Sequence, residues 1–262
     1  MKSIGVIGGL GPMASVYYLK LLVEMTKADK DQEYPRIYME CLPDIPDRTK
    51  YILGESTDSP YPMLLKAAKE LEAIGADVIT IPCITSYCFY KKIQDGVKIP
   101  IINLPEEIVK HLIEHNVRSV GIMATTGTVK CGILEDECKK CGISVLLPEE
   151  KVQGMVMDII YKQIKRGRAV DWKMVDEVMT YFIERGADKI ILGCTELPLL
   201  KGMLYEGIRD TDSCEYSVMN RLYKDCEDVL EILAKMALKF SGVRVKENRH
   251  RTEIVRKEIV NL

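Results

Sequence analysis

The segment LEAIGADVITIPC at residues 71–83 recurs without a gap as FIERGADKIILGC at residues 182–194. In this register Gly75 pairs with Gly186, Asp77 with Asp188 and Cys83 with Cys194. Each copy reads as a helix end, a glycine stop, a short β-rich run and a cysteine. A fainter match sets SIGVIGG at 3–9 beside SVGIMAT at 119–125. A chain that writes the same supersecondary unit twice is constrained to build two similar bodies.

The remaining pattern agrees. Apolar runs at 3–7, 37–40, 78–82, 100–104, 119–124, 144–147 and 190–192 read as strands, and apolar spacing of three and four at 14–26, 63–74, 133–140 and 171–184 reads as helix. Strands alternating with helices predict βαβ units and parallel sheets. The expected fold class is α/β, with two pseudo-symmetric lobes. Each is a mostly parallel sheet flanked by helices, with the active site in the cleft between them. The first lobe is expected over 1–103 plus 211–262 and the second over 104–210. The helices after Ser213 would return to the first lobe, and 262 residues suffice for two small lobes with a shared core.

Charge excludes some functions. Lys and Arg total 37 against 39 acidic residues, so there is no electrostatic case for nucleic acid or an anionic membrane. The basic residues Arg244, Lys246, Arg249, Arg251, Arg256 and Lys257 fall in the last stretch, read as a solvated tail or an oligomer contact. The apolar run at the N-terminus breaks at glycines too early for a signal peptide, and no run reaches the ~18–20 residues of a membrane span. A cytoplasmic protein is expected. Its nine cysteines, an odd number, are then free thiols.

In open α/β sheets, ligands bind beyond the carboxyl ends of the strands. Cys83 and Cys194 stand at two such ends, one per lobe, and pseudo-symmetry sets them facing each other across the cleft. One buried cysteine is ordinarily a small core residue. Two at equivalent strand ends suit a two-base reaction, in which a thiolate takes a proton from one face of a carbon and a thiol donates to the other. A following helix start would favour the thiolate, and a thiol of pKa near ~8.5 needs little help to work near neutrality. Polar residues gather at the same ends: Thr85 and Ser86 after Cys83, Thr125 and Thr126 after the 119–124 strand, Thr195 and Glu196 after Cys194. They are candidates both for helix caps and for carboxylate contacts. GGLGP lacks the spacing of a dinucleotide or phosphate loop, but at Gly9 and Leu10 the backbone can come close to a small ligand.

IGVIGGLGP near the start, PDIPDRT at 43–49, IPCITS around Cys83, ATTGT at 124–128 and GCTEL at 193–197 come in order between about residues 3 and 240. Together they resemble the aspartate/glutamate racemase superfamily, most of all its aspartate racemase branch. The resemblance implies a cofactor-independent racemase of aspartate or a related amino acid. It implies no pyridoxal phosphate, no metal, a small amino-acid substrate and a homodimer. It carries the catalytic thiols onto Cys83 and Cys194, and contacts to the substrate α-carboxylate and ammonium onto Thr85, Thr126 and Thr195. Arg48 in PDRT and Lys165 in IYKQIKRG match residues associated with a side-chain carboxylate.

The sequence departs from the pattern at Ile84, where the family usually has a substrate-contacting Asn, and at Tyr87, Met13 and Tyr34. Alternatives on the same scaffold are decarboxylation of a substituted malonate, cis–trans isomerisation of a dicarboxylate, or amino-acid binding without catalysis. Cys138 and Cys141, with His111 and His115, lack a convincing metal-ligand pattern. Cys41, Cys88, Cys131, Cys214 and Cys226 are read as core.

Overall fold

The computed structural model describes residues 1–205 and 214–246. Two parallel sheets form, one from each copy of the repeat. The first contains β1 (Ile4–Gly8), β2 (Ile37–Cys41) and β3 (Val78–Thr80) in the order β2-β1-β3. It carries α1 (Pro12–Met25), α2 (Arg48–Leu53), α3 (Tyr61–Ala73) and α4 (Tyr90–Gln94). After α5 (Leu104–Glu114), the second lobe runs through β4 (Ser119–Met123), α6 (Thr126–Cys131), α7 (Ile133–Lys140), β5 (Ser144–Leu146) and α8 (Glu150–Met157). It continues with α9 (Trp172–Glu184), β6 (Lys189–Leu192), α10 (Leu199–Tyr205), α11 (Cys214–Lys224) and β7 (Cys226–Asp228), and its sheet is ordered β5-β4-β6-β7. α12 (Val229–Ser241) is the last helix of the described residues.

The repeat is structural as well as textual. Ile4 lies opposite Val78 in the first sheet and Val120 opposite Lys189 in the second, which are the same positions of the two copies. Gly75 and Gly186 end their helices with φ of 93° and 88°, a left-handed conformation that glycine adopts without strain. Asp77 then accepts hydrogen bonds from the Ser3 backbone N–H (2.6 Å) and hydroxyl (2.7 Å). Asp188 accepts from the Ser119 N–H at 2.9 Å. The Gly-Ala-Asp signature thus ties each helix end to the start of the neighbouring strand, and these bonds hold both carboxyls below their ordinary range.

Packing explains two further equivalent glycines. A Cβ on Gly121 would stand 2.5 Å from the Phe182 ring, and one on Gly5 would stand 3.0 Å from the Ala76 Cβ and 3.3 Å from the Leu71 Cβ. The helix of each copy presses its side chain onto the centre of the strand beneath it.

Three features differ from expectation. The chain after Ser213 does not return to the first lobe at once. α11 packs on α9, and β7 extends the second sheet by pairing Cys226 with Ile190, so covering an edge of β6 that would otherwise be unpaired. Only α12 returns, against α1 and α5. The run at 100–104 makes a single bridge, Ile79 to Ile101, before α5 begins at Leu104. Cys88 and Cys131, expected as free thiols, are joined in a disulfide with Cα atoms 6.3 Å apart. The basic residues Arg249, Arg251, Arg256 and Lys257 lie outside the described residues. Among the described residues, no helix is long and apolar enough to cross a membrane.

Candidate active site

The carboxyl ends of β1, β3, β4 and β6 converge, and both cysteines line one small chamber there, with a free volume of about 10 Å³. Cys83 leaves β3 and precedes a 3₁₀ turn, Ile84–Phe89; it is 5% exposed. Cys194 leaves β6 through Gly193 and is 7% exposed. No helix starts directly behind it: the Leu197 N–H closes a turn on the Cys194 carbonyl at 3.0 Å, and α10 begins only at Leu199.

Threonines form one wall. The Thr85 hydroxyl lies 2.8 Å from that of Thr128 and 3.2 Å from that of Thr125, and Thr49 donates to Thr125 at 3.2 Å. Thr49 and Thr85 belong to the first lobe, Thr125 and Thr128 to the second, so the cluster crosses the cleft. Thr125 also caps α6, accepting from the Thr128 N–H. Thr126 points elsewhere: its N–H meets the Met157 sulfur and its hydroxyl accepts from Gln153. Ile84 contributes an apolar stretch of wall and is 1% exposed.

Two cations face the chamber. Arg48 opens α2 and is buried; its guanidinium donates to the carbonyls of Ile45 (3.1 Å), Pro46 (3.1 Å) and Leu10 (2.9 Å). Burial pulls its pKa down, but the nearby Cys83 sulfur and Asp47 carboxylate outweigh this and hold it above its ordinary value. Lys165 follows a π-turn, Asp158–Gln163, of the kind that helices use to re-aim side chains at functional sites. Its ammonium sits 4.9 Å over the Tyr161 ring and 3.3 Å from Glu196 Oε1. Burial opposes its charge, and Glu196 and Cys194 more than restore it. The Tyr161 hydroxyl reaches across the cleft to Asp47 at 3.1 Å.

The thiols differ in surroundings. Cys83 has the Arg48 guanidinium beside it. Cys194 donates its S–H to Glu196 Oε2 at 2.9 Å. Burial first, then the Glu196 charge, push the Cys194 thiol well above its ordinary range, against the opposing pull of Lys165.

Of the residues singled out from sequence, Cys83, Cys194, Leu10, Arg48, Ile84, Thr85, Thr125, Lys165, Thr195 and Glu196 come together around this chamber. Gly9 and Met13 instead line a wider groove outside it, and Thr126 faces α8. Tyr87 is buried behind the wall and Tyr34 lies after a short turn away from it. Sequence reasoning did not single out Thr49, Tyr161 or Asp47, and it quoted Thr128 only as part of ATTGT. Thr49 carried a signal, since it sits beside Arg48 in PDRT at the start of a helix. Among the described residues, no three His, Cys, Asp or Glu side chains are grouped to hold a metal ion.

Comparison with known proteins agrees with this architecture. A family profile described as Asp/Glu/Hydantoin racemase matches residues 7–218. The broad specificity amino-acid racemase RacX of Bacillus subtilis is 25% identical over 203 residues, which is 74% of this chain and 85% of that protein. The aspartate racemase structure from Picrophilus torridus superposes with a TM-score of 0.76 at 28% identity, covering 94% of this chain and 96% of that one. The glutamate racemase of Francisella tularensis, solved with D-glutamate, shares the fold with a TM-score of 0.59 at 19% identity over 94% of this chain and 85% of that one.

Proposed function

Since the chain belongs to the Asp/Glu/hydantoin racemase family, we propose that it racemises aspartate or a closely related amino acid with Cys83 and Cys194 as opposed acid and base. The observation that carries the reading is that both thiols, from equivalent strand ends, line one chamber. For one enantiomer Cys83, as thiolate beside Arg48, takes the α-proton, and Cys194, held protonated by its surroundings, donates to the opposite face. For the other enantiomer the roles exchange. The thiols need no added cofactor for this, because each supplies or takes one proton and nothing is oxidised.

The threonine hydroxyls of Thr49, Thr85, Thr125 and Thr195 suit the substrate's α-carboxylate and ammonium. Arg48 and Lys165 suit a second carboxylate, which a guanidinium binds with two parallel hydrogen bonds. A dicarboxylic amino acid therefore fits the charge of the chamber. Ile84 makes one wall apolar and narrows the polar contacts to the threonine side. Closure matters for this chemistry: a thiolate is a weak base for an α-proton unless water is excluded and charge is balanced locally.

A homodimer is part of the proposal. Met13, Val16, Leu19 and Val23 expose a line of apolar side chains along α1, and burying them against a second copy would remove them from water. We place the enzyme in the cytoplasm, where Cys88 and Cys131 stand reduced and join only on oxidation.

The test is α-proton exchange in deuterium oxide, followed by NMR on L-aspartate, L-glutamate and other amino acids with chiral analysis of the products. Deuterium uptake with formation of the D-enantiomer is expected. Cys83→Ser and Cys194→Ser are each expected to lose racemisation by about 10²–10⁴-fold, the usual contribution of a positioned acid or base. Full activity in either variant refutes the two-thiol mechanism. Absence of exchange on every amino acid, with reduced thiols, refutes the racemase reading and turns attention to malonate decarboxylation, dicarboxylate isomerisation or binding alone.

A further inference from the structure

Four residues face both the chamber and the groove outside it: Leu10, Arg48, Lys165 and Glu196. Among them Glu196 is the one proton acceptor, and it is also the one carboxylate in the chamber wall among the described residues. One of its oxygens holds the Cys194 proton at 2.9 Å. The other lies beneath Gly11 of the opposite lobe, where a Cβ would stand 2.7 Å from it, and 3.3 Å from Lys165. The glycine of GGLGP is thus the space through which this carboxylate reaches between thiol and groove. Glu196 is buried, and its Oε1 has no hydrogen-bond partner.

A two-thiol racemase leaves itself in the wrong state after each turnover. If Cys83 has taken the α-proton and Cys194 has donated, the site ends as Cys83 thiol and Cys194 thiolate. Before another molecule of the same enantiomer reacts, Cys83 must lose a proton and Cys194 must gain one.

We propose that Glu196 is the proton relay between the groove and Cys194, resetting the free enzyme between turnovers. The reading rests on the racemase function proposed above. In the reset, a solvent proton arriving through the groove protonates the Glu196 carboxylate. The carboxylic acid passes that proton to the Cys194 thiolate, the O–H bond breaking as the S–H bond forms, and Glu196 is left ionised. Cys83 releases its proton to solvent, so the exchange is neutral overall and nothing is oxidised or reduced. For the opposite enantiomer the same steps run backwards. A thiolate at Cys194 beside an ionised Glu196 is disfavoured by burial and by the adjacent charge, which drives the uptake of the proton. Cys83 has a cation at its side instead, which makes the two ends of the site unequal. Glu196 acts through Cys194 and is not required to touch substrate.

The test compares wild type, Glu196→Gln and Glu196→Ala in both directions, with product inhibition and added formate as probes. Glu196→Gln preserves the side-chain volume under Gly11 and is expected to lose about tenfold or more in kcat and less in kcat/KM. Slow reset traps the product-binding form of the enzyme, so product inhibition is expected to become noncompetitive. Glu196→Ala opens the groove to a small acid, and its kcat is expected to rise in proportion to formate concentration. A parallel fall of kcat and kcat/KM in Glu196→Gln, with competitive product inhibition, overturns the relay; so does a folded Glu196→Ala that ignores formate. If the alanine variant does not fold, the glutamine variant decides alone. An active wild type with an unimpaired glutamine variant refutes the relay and leaves the racemase standing, whereas an inactive wild type refutes both.

Discussion

Arg48→Lys isolates what the guanidinium does for the fold before any substrate binds. Three carbonyls lean on it: Ile45 and Pro46 through Nη1, and Leu10 through Nη2. They belong to two loops, the one before α2 and the one after β1, which the fork joins at the chamber wall. Lysine keeps the charge but offers one nitrogen where arginine offers two, so it can serve one loop and must release the other. Hydrogen bonds from a charged donor contribute about 1.5–3 kcal/mol each, and a carbonyl left buried without a partner costs a further ~1–3 kcal/mol. Arg48 is 8% exposed, so water does not replace the lost bonds. A loss of about 3 kcal/mol follows, and at roughly 2–4 °C per kcal/mol for a chain of this order the melting temperature should fall by about 6–12 °C. Differential scanning calorimetry of the unliganded protein measures it. A fall of less than about 2 °C would show that the loops hold themselves and that Arg48 is free to serve the substrate alone.

Two glycines should respond to alanine with opposite signs in thermal unfolding. Gly121→Ala drives a methyl into the buried Phe182 ring and should cost about 1–3 kcal/mol, whereas exposed Gly154, inside α8 with nothing within 4 Å of a Cβ, should gain about 0.5–1 kcal/mol. Burial raises the thiol of Cys138 to about 11 and that of Cys226 to about 12. Both are neutral in the fold and ionise more readily when it is lost, so their contribution is whole below about pH 8.5 and disappears as pH rises through those values; melting temperatures from pH 7 to 11 should fall less steeply in a Cys138→Ala, Cys226→Ala double variant than in wild type. Reduction of Cys88–Cys131, 43 residues apart, should remove about 4 kcal/mol of loop-closure stabilisation, read as a lower denaturation midpoint with dithiothreitol; an unchanged midpoint would count against the pairing.

What the sequence exposed and what it hid follow from the range of the interactions. The repeat around Cys83 and Cys194 was legible because it encodes a local unit: glycine stop, aspartate tie, strand, cysteine. The chamber's other walls depend on geometry that no local pattern carries. Thr126 was expected to contact substrate, but Thr125 is the N-cap of α6, so the residue one turn on, Thr128, returns to the same face while Thr126 turns toward α8. Tyr161, within a π-turn, and Lys165, just after it, face inward because that turn shifts the helical phase, and hydrophobic periodicity does not announce such a turn. β7 was unreadable for another reason: three residues, Cys226–Asp228, form a strand because the edge of β6 is available to them. Cys88 and Cys131 sit far apart in sequence, and only the docking of α6 against the turn after Cys83 brings them together.

The ties across the cleft indicate where the chamber must open. Its free volume of about 10 Å³ is that of a single water, so an amino acid does not fit while the lobes stand as they are. On one side the lobes are joined by the Thr85–Thr128 bond and, behind it, by the packing of α6 on the turn Ile84–Phe89. On the groove side the join consists of the Tyr161 hydroxyl on Asp47 and the Glu196 carboxylate under Gly11. A hydrogen bond to an accessible carboxylate exchanges for one to water at little net cost, whereas the buried Thr85–Thr128 bond has no water to replace its partner. The groove side is therefore the one expected to part, which would carry Lys165 and Glu196 away from Arg48 with the threonine wall as the hinge. On the proposed function, an amino acid would pass Arg48 and Lys165 on entry, and closure would bring Cys83 and Cys194 to its α-carbon last.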